Sequence, residues 1–251
     1  MERIRFTNRQ GLKLAGCLHQ PGCRPLAGVV LTHGFRGTME GGGKAVELAE
    51  RLAGMGYLVF RFDFAGAGES EGDFSSITLS RQVSDLKSSL DWLEGQFNLP
   101  WLAVGRSFGG STALAAAAVD HRIKALCLWA TPLDLIRTFR NALGRLYDNL
   151  LAGQEVAVTD DHGQTFTLKP EFIEDLCRYD LYQKLKEVAG RPILFLHGAL
   201  DSTVDLAQVK RGFKQAEPPK EMVIVPDGDH QFTRTWQKAW DALFDWLNRI
   251  V

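Results

Sequence analysis

The sequence predicts an α/β domain built on a mostly parallel sheet of eight strands, with helices on both faces. Two observations support this fold class. Short runs rich in apolar, β-branched and aromatic residues alternate with longer segments of helical spacing, and right-handed crossovers make strands in such an alternation parallel. The chain has 251 residues, which is enough for one large core.

The elements follow one another in a regular order. The opening hairpin is predicted by IRFT and LKLAGCLHQ, which flank an NRQG turn. A strand with two buried faces follows at GVVLTHGF, then a helix at AVELAERLAGMG and a strand at YLVFRFDF. Apolar residues recur at helical spacing across residues 75–98. Strands at WLAVG and KALCLWA then flank the helix STALAAAAVD.

The alternation stops after residue 131. Residues 132–190 contain helical pieces, a helix opened by Pro170, and a hairpin in which VAVT and QTFTL flank a DDHG turn. The alternation resumes with a strand at PILFLHG, a helix at VKRGFKQAE, a strand at EMVIV and a C-terminal helix whose tryptophans we expect in the core. We therefore expect residues 1–131 and 191–251 to form the core and residues 132–190 to form an insertion.

The charge balance excludes several classes of partner. The chain has 29 basic and 30 acidic residues, so it has no cationic excess with which to neutralise nucleic-acid phosphates. No apolar run approaches the roughly 20 residues that cross a bilayer, and the N-terminus lacks a signal-peptide pattern. We expect a cytoplasmic protein that acts on a small molecule. The sequence leaves its oligomeric state open.

The sequence indicates neither a metal nor a cofactor. The four cysteines lack the spacing of a zinc site, and free thiols in a reducing compartment account for them. Gly66-Ala67-Gly68 follows a strand, but Glu71 occupies the last glycine position of a dinucleotide fingerprint. Gly41-Gly42-Gly43-Lys44 lacks the spacing of a phosphate loop. Both glycine clusters are expected to form tight loops.

The strongest chemical signal is Gly105-Arg106-Ser107-Phe108-Gly109, which lies between a predicted strand and a predicted helix. Glycine and serine are common, so the G-x-S-x-G pattern alone is weak. A sharp strand-to-helix turn strains the central serine, and the flanking positions must be glycine because side chains there would collide with neighbouring elements. The pattern in this context predicts a nucleophilic Ser107, although an ordinary turn with a solvated serine would share it.

A serine nucleophile needs a base. His230 follows the last predicted strand, and the active sites of open α/β sheets gather at the C-terminal ends of strands. His33 and His197 also follow strands, but each precedes a glycine and is better placed to shape a loop. The remaining histidines are assigned to surface elements: His19, His121 and, in the DDHG turn, His162.

The base needs a carboxylate that orients it. Asp201 lies just past a predicted strand, and Asp134 after another strand is its competitor. Asp63 comes too early in the sheet, and the side chain of Asp229 should project away from the adjacent His230. These choices give the chain order Ser107, Asp201, His230.

Acyl transfer also requires donors for a developing oxyanion. The backbone N–H of Phe108 lies at a helix N-terminus, where unpaired donors and the helix dipole favour negative charge. The second donor should come from the loop after the third strand, where the sequence reads His33-Gly34-Phe35. We assign it to the N–H of Phe35.

Five motifs in this order resemble the α/β-hydrolase superfamily: HGF, DFAGAGES, GRSFGG, HGALD and DGDH. The resemblance covers nearly the whole chain apart from residues 132–190, which occupy the position of the family's cap or lid after strand six. It implies the α/β-hydrolase fold and a serine hydrolase that uses Ser107, His230 and Asp201. The small cap and HGF look most like serine esterases that include cinnamoyl and feruloyl esterases.

Three functions remain open on these residues. The first is a carboxylic ester hydrolase, the second a thioesterase or a small-amide peptidase, and the third a non-catalytic binding protein on a hydrolase frame. The complete triad argues against the third. A compact cap favours small or aromatic acyl esters, with Asp134, Phe139 and Tyr147 as candidate substrate contacts. Most apolar residues of the insertion are expected to form its core: Leu135, Phe139, Leu143, Tyr147, Leu150, Phe166, Phe172 and Leu176.

Overall fold

The computed structural model describes residues 1–159 and 163–251. Its strands are β1 (Glu2–Thr7), β2 (Lys13–His19), β3 (Gly28–Thr32), β4 (Leu58–Phe62), β5 (Trp101–Arg106), β6 (Ile123–Trp129), β7 (Val156–Thr159), β8 (Thr165–Leu168), β9 (Ile193–Gly198) and β10 (Lys220–Val225). Its helices are α1 (Lys44–Gly54), α2 (Leu79–Glu94), α3 (Phe108–Val119), α4 (Leu135–Leu143), α5 (Arg145–Leu151), α6 (Pro170–Leu176), α7 (Leu181–Glu187), α8 (Leu206–Gln215) and α9 (Trp236–Ile250).

Eight of these strands form one sheet in the order β1-β2-β4-β3-β5-β6-β9-β10. The opening hairpin is antiparallel, and β2 also pairs antiparallel with β4. The other pairings in this sheet are parallel. The predicted α/β-hydrolase architecture is confirmed, including the antiparallel edge. The carboxyl ends of the parallel strands therefore face the same edge of the sheet.

Helices cover both faces of the sheet because successive side chains of a buried strand alternate between faces. In β5, Ala103 joins one hydrophobic cluster and Val104 joins the other. The first cluster contains α2 and α3, and the second contains α1 and α9. Trp240 and Trp246 are buried in the second cluster, as expected for core tryptophans.

The predicted hairpin of the insertion is present as β7 paired with β8. Of its DDHG turn, only Gly163 belongs to the described residues, so the expectations for the turn and for His162 lie outside them. The apolar side chains of α4, α5 and α6 join the same cluster as α2 and α3. Helix α7 also lies within residues 132–190, yet it packs against α3 and α8 of the core.

Polar contacts also fix the insertion to the core, and two of them join distant segments. The buried Asp175 carboxylate of α6 accepts a hydrogen bond from the backbone N–H of Ser80 at 2.9 Å. The Arg36 guanidinium donates to the carbonyl oxygen of Thr159 at the end of β7 at 2.8 Å. Apolar packing and these bonds together hold residues 132–190 against the sheet's first hydrophobic cluster.

The four cysteines are free thiols, and Cys127 is buried in β6 as expected. No helix in the described part of the chain is long and apolar enough to cross a membrane.

The expectation that His19 belongs to a surface element is wrong, because its side chain is buried in β2. Its Nε2 accepts a hydrogen bond from Nε of the buried Arg61 in β4, at 3.0 Å. Arg61 also donates to the carbonyl oxygen of Met39 and lies 3.1 Å from the Glu40 carboxylate. The buried guanidinium thus requires a neutral imidazole as its acceptor.

Burial, reinforced by the positive charge of Arg61, lowers the pKa of His19 from 6.5 to about 4. Between these values the unfolded chain binds a proton that the folded chain does not bind, so the free energy of unfolding falls as pH decreases below about 6.5. The stabilisation is complete above that pH. The slope from one such group is at most about 1.4 kcal/mol per pH unit.

We predict that His19→Gln makes stability less dependent on pH. Glutamine supplies an acceptor for Arg61 but has no proton to gain on unfolding. Urea unfolding at pH 7 and pH 5 should show that the free energy of unfolding falls by about 1–2 kcal/mol less in the variant than in the wild type between these two pH values. Equal losses in the two proteins would contradict a neutral, buried His19.

Candidate active site

Ser107 lies at the turn between β5 and α3 and has φ 53° and ψ −126°. Positive φ is strained for a residue with a side chain. The Ser107 N–H donates to the carbonyl oxygen of Trp129 at the end of β6, at 2.8 Å. The sheet thus anchors the turn from the neighbouring strand, and the expected strained conformation is present.

The glycines around Ser107 are required by close backbone contacts. A Cβ on Gly105 would lie 2.5 Å from the Cα of Gly110, and a Cβ on Gly109 would lie 2.4 Å from the carbonyl oxygen of His33. Both distances are well inside van der Waals contact. Any side chain at these positions would force α3 away from β3 and β5, which agrees with the collision argument made from the sequence.

The structure brings Ser107, His230 and Asp201 together. Nε2 of His230 lies 3.1 Å from Oγ of Ser107, and Nδ1 of His230 lies 2.8 Å from a carboxylate oxygen of Asp201. The loops that carry the three side chains follow β5, β9 and β10, which end at the same edge of the sheet. The carboxylate requires the imidazole proton on Nδ1, which leaves Nε2 free to accept a proton from the serine.

The Asp201 side chain is fully buried. Its second oxygen accepts backbone N–H groups of Thr203 at 2.9 Å and Val204 at 2.8 Å. Burial alone would raise the pKa of Asp201, but the hydrogen bond and charge interaction with His230, together with the Val204 N–H, lower it below its ordinary value. The carboxylate therefore stays ionised and holds the imidazole.

The loop after β3 lies against Ser107. A Cβ on Gly34 would be 3.1 Å from the Cβ of Ser107 and 3.7 Å from its Oγ. Phe35, the next residue, and Phe108 each have a backbone N–H without a protein acceptor among the described residues. Two backbone N–H groups, one from the loop after β3 and one from the first residue of α3, are therefore unpaired near the serine.

The competing residues have other partners. Asp134 is the N-cap of α4 and accepts the N–H of Arg137, while Nδ1 of His230 is bonded to Asp201. Asp63 is buried and accepts the N–H groups of Met39 and Glu69. Asp229 accepts the N–H of Thr233.

Two further residues hold the site: Arg106 was missed in the sequence, whereas His197 was expected to shape a loop. The guanidinium of Arg106 donates to the carbonyl oxygen of His230 at 3.3 Å and to the Gln231 side chain. The ring of His197 is buried and lies 3.0 Å from the carbonyl oxygen of Val204. The position of Arg106 directly before Ser107 could have indicated its role, and the contact of His197 agrees with the loop-shaping role expected of it.

The insertion contributes aromatic rings that pack against Phe35 and Phe108. Phe139 is buried, and its ring centroid lies 5.3 Å from those of Phe35 and Phe108 and 4.9 Å from that of Phe172. We call these four residues the aromatic cluster. Tyr147 is buried too, but its ring packs beneath the Arg140 guanidinium, and no ring pair joins it to these four residues in the described part of the chain.

Helix α4 also forms one wall of a polar cavity of about 330 Å³ next to Asp201. Arg137, Thr138 and Asn141 line it from α4, and the opposite wall runs from Ala199 to Gln208.

The part of the chain that the structure describes contains no group of three or more histidine, cysteine or acidic side chains that could hold a metal ion.

Two kinds of known protein are similar to this chain in sequence over most of its length. The uncharacterized protein YfhR of Salmonella typhimurium is 28% identical over 237 residues, which cover 91% of this chain and 74% of that protein. The mitochondrial palmitoyl-protein thioesterase ABHD10 of Mus musculus is 27% identical over 234 residues, which cover 91% of this chain and 76% of that protein.

Solved structures share the fold over nearly the full length of both chains. Est1E from Butyrivibrio proteoclasticus, solved with ferulic acid bound, aligns with a TM-score of 0.82 at 20% identity and covers 98% of each chain. The esterase domain of a Rhodothermus marinus protein aligns with a TM-score of 0.74 at 25% identity and covers 99% of this chain and 98% of that one.

The fold and these similarities define an α/β hydrolase of the esterase-like type. Residues 24–184, well over half of the chain, match the family described as "Serine aminopeptidase, S33". The chain belongs to this family.

Proposed function

We propose that the protein is a serine hydrolase that cleaves carboxylic esters through an acyl-enzyme, with Ser107, His230 and Asp201 as its catalytic triad. The observation that carries the proposal is the continuous hydrogen-bonded chain from Ser107 Oγ through His230 to a buried Asp201. The strained backbone of Ser107 supports it, because such strain is concentrated at functional sites.

In the proposed reaction, Ser107 Oγ attacks the ester carbonyl while His230 Nε2 takes the hydroxyl proton. The carbonyl oxygen becomes an oxyanion, which the N–H groups of Phe35 and Phe108 stabilise. His230 then returns the proton to the leaving alcohol, and the acyl group remains on Ser107. A water molecule, deprotonated by His230, releases the acid and restores the serine.

We propose a small or aromatic acyl group as the substrate class. The aromatic cluster adjoins both proposed oxyanion donors, because Phe35 and Phe108 belong to it. Aromatic rings pack favourably against one another edge to face or offset. The similar fold of Est1E, which binds ferulic acid, is consistent with a phenolic acyl group.

A thioester is the second candidate substrate. The relative ABHD10 is a palmitoyl-protein thioesterase and aligns over most of this chain. The attacking serine and the oxyanion donors would serve an oxygen ester and a thioester alike, since both form the same acyl-enzyme. The chain length of the acyl group separates the two candidates further, because palmitoyl is long and the proposed substrate is compact.

We propose that residues 132–190 act as a cap that sets acyl preference. Phe139 and Phe172 of this segment complete the aromatic cluster, and α4 forms a wall of the cavity beside Asp201. A cap would also exclude water above the oxyanion donors, which strengthens their interaction with negative charge. The apolar contacts with α2 and α3 suggest that this cap is docked on the core.

We predict that Ser107→Ala folds normally but no longer reacts with a fluorophosphonate probe, and that its turnover falls by at least about 10⁴-fold. Wild-type protein should be labelled. The substrate class can be determined by comparing the wild-type kcat/KM on matched oxygen esters and thioesters that carry acetyl, cinnamoyl or palmitoyl chains. Labelling of the alanine variant, or an unreactive wild type, would overturn the proposed mechanism.

We predict that Asp201→Asn lowers kcat by about 10⁴-fold, as in serine-protease triads. The amide would present a donor to His230 Nδ1, so the imidazole proton would move to Nε2 and block acceptance from Ser107. Asp134→Asn is the matched control, since asparagine also caps helices well, and its kcat should stay within about 2-fold of wild type. The assignment fails if the two variants have similar activity.

We predict that Phe139→Leu lowers the kcat/KM for cinnamoyl esters relative to acetyl esters by about 2- to 10-fold, since an aromatic pair contributes about 0.5–1.5 kcal/mol. Tyr147→Phe should leave this ratio unchanged because it removes only the hydroxyl of a buried tyrosine that forms no ring pair with the aromatic cluster in the described part of the chain. An unchanged ratio in Phe139→Leu would remove the cluster from substrate selection, and a changed ratio in Tyr147→Phe would restore that residue as a substrate contact.

A further inference from the structure

His33 makes two side-chain hydrogen bonds beside Ser107. Its Nδ1 lies 2.9 Å from the carbonyl oxygen of Gly34, and its Nε2 lies 3.2 Å from the backbone nitrogen of Phe64. A carbonyl oxygen only accepts and a backbone N–H only donates. The two bonds together therefore specify a neutral ring with its proton on Nδ1.

The bond to Gly34 acts on a particular peptide unit. The carbonyl oxygen of Gly34 and the N–H of Phe35 belong to the same planar peptide group, in which they point in opposite directions. The N–H of Gly37 also donates to this oxygen, at 3.0 Å. Two donors on the oxygen therefore fix the direction in which the Phe35 N–H points.

The same peptide unit lies beside the serine. A Cβ on Gly34 would be 3.7 Å from Ser107 Oγ, and the Phe35 N–H has no acceptor among the described residues. It is thus available to a group bound at Ser107.

We propose that His33 is a positioning residue that aims the Phe35 N–H at the oxyanion by holding the Gly34 carbonyl oxygen through Nδ1–H. The inference rests on the proposed function, and it gives the side chain of His33 a part in transition-state stabilisation. The contacts of the His33 ring are with Gly34 and Phe64, so in this proposal it acts through the Gly34–Phe35 peptide unit.

The surroundings of His33 keep the ring in this state. Its ring packs edge to face against Phe64 at a centroid distance of 4.9 Å. Burial lowers the pKa of His33, although the bond to Gly34 and the charge of Asp63 oppose the shift. A second proton would place Nε2–H against the Phe64 N–H, so the neutral form is the one that fits.

Two isosteric variants separate the two hydrogen bonds. Asparagine carries an amide nitrogen at the position of Nδ1, so His33→Asn keeps a donor for Gly34 and loses the acceptor for Phe64. Glutamine carries an amide oxygen at the position of Nε2, so His33→Gln keeps the acceptor for Phe64 and loses the donor for Gly34. Each variant loses one of the two bonds.

The test compares kcat and KM of wild type, His33→Asn and His33→Gln on p-nitrophenyl acetate, with the folded fraction measured by near-UV circular dichroism. An oxyanion donor is worth about 10²–10³-fold in kcat. Because His33→Gln misaims a donor that it does not delete, we expect kcat to fall about 10- to 100-fold with KM within about 3-fold. His33→Asn should retain kcat within about 3-fold. Affinity for a trifluoromethyl ketone, which forms an oxyanion on Ser107, should fall in parallel with kcat.

Equal losses of kcat in the two variants, or a His33→Gln variant with nearly wild-type kcat, would overturn the proposal. If His33→Asn does not fold, the glutamine variant alone decides it by the same criterion and by its trifluoromethyl ketone affinity. Failure of the proposed function gives a different result, because wild-type protein would then neither turn over the ester nor react with a fluorophosphonate.

Discussion

The strained backbone at Ser107 is the constraint on which the rest of the site depends. Its positive φ persists because the surrounding sheet leaves the turn no alternative: β6 holds the Ser107 N–H, and backbone atoms press on Gly105 and Gly109. The serine hydroxyl is therefore held at a fixed point above the sheet edge. Because interiors are close-packed and do not deform gradually, the loops after β3, β9 and β10 must each meet that point.

A buried carboxylate is the second requirement, and it is met by hydrogen bonds. Asp201 would be costly without partners, yet its oxygens receive N–H groups from His230, Thr203 and Val204. The same bonds that keep the carboxylate ionised also orient the imidazole toward Ser107. His197 at the end of β9 bonds the carbonyl oxygen of Val204 and so holds the turn from Asp201 to Val204. The end of β9 and the loop after it therefore supply the acid, its N–H donors and a support for that loop.

Much of the fold was predictable because its determinants are local in the sequence. Strand and helix periodicity, the glycines of the elbow and the position of each polar residue after a strand all lie within a few residues of one another. The features that were missed depend on contacts between distant segments. The burial of His19 follows from Arg61 on a neighbouring strand, the role of Arg106 from a carbonyl over a hundred residues away, and the packing of α7 from its contact with α3. The sequence around each of these residues does not predict the distant residue that it contacts.

The same distinction explains why the class of chemistry is easier to infer than the substrate. The proposed triad and oxyanion donors belong to short motifs of the core that can be recognised one by one. The aromatic cluster, by contrast, joins Phe35 and Phe108 of the core to Phe139 and Phe172 of the insertion, and no spacing in the sequence links these four. Phe35 belongs to both sets, since its N–H flanks Ser107 and its ring stacks on Phe172 at a centroid distance of 5.5 Å. A change in the insertion that moves this ring would therefore also act on the peptide unit that His33 holds, so under the proposed function acyl preference and turnover are coupled through Phe35.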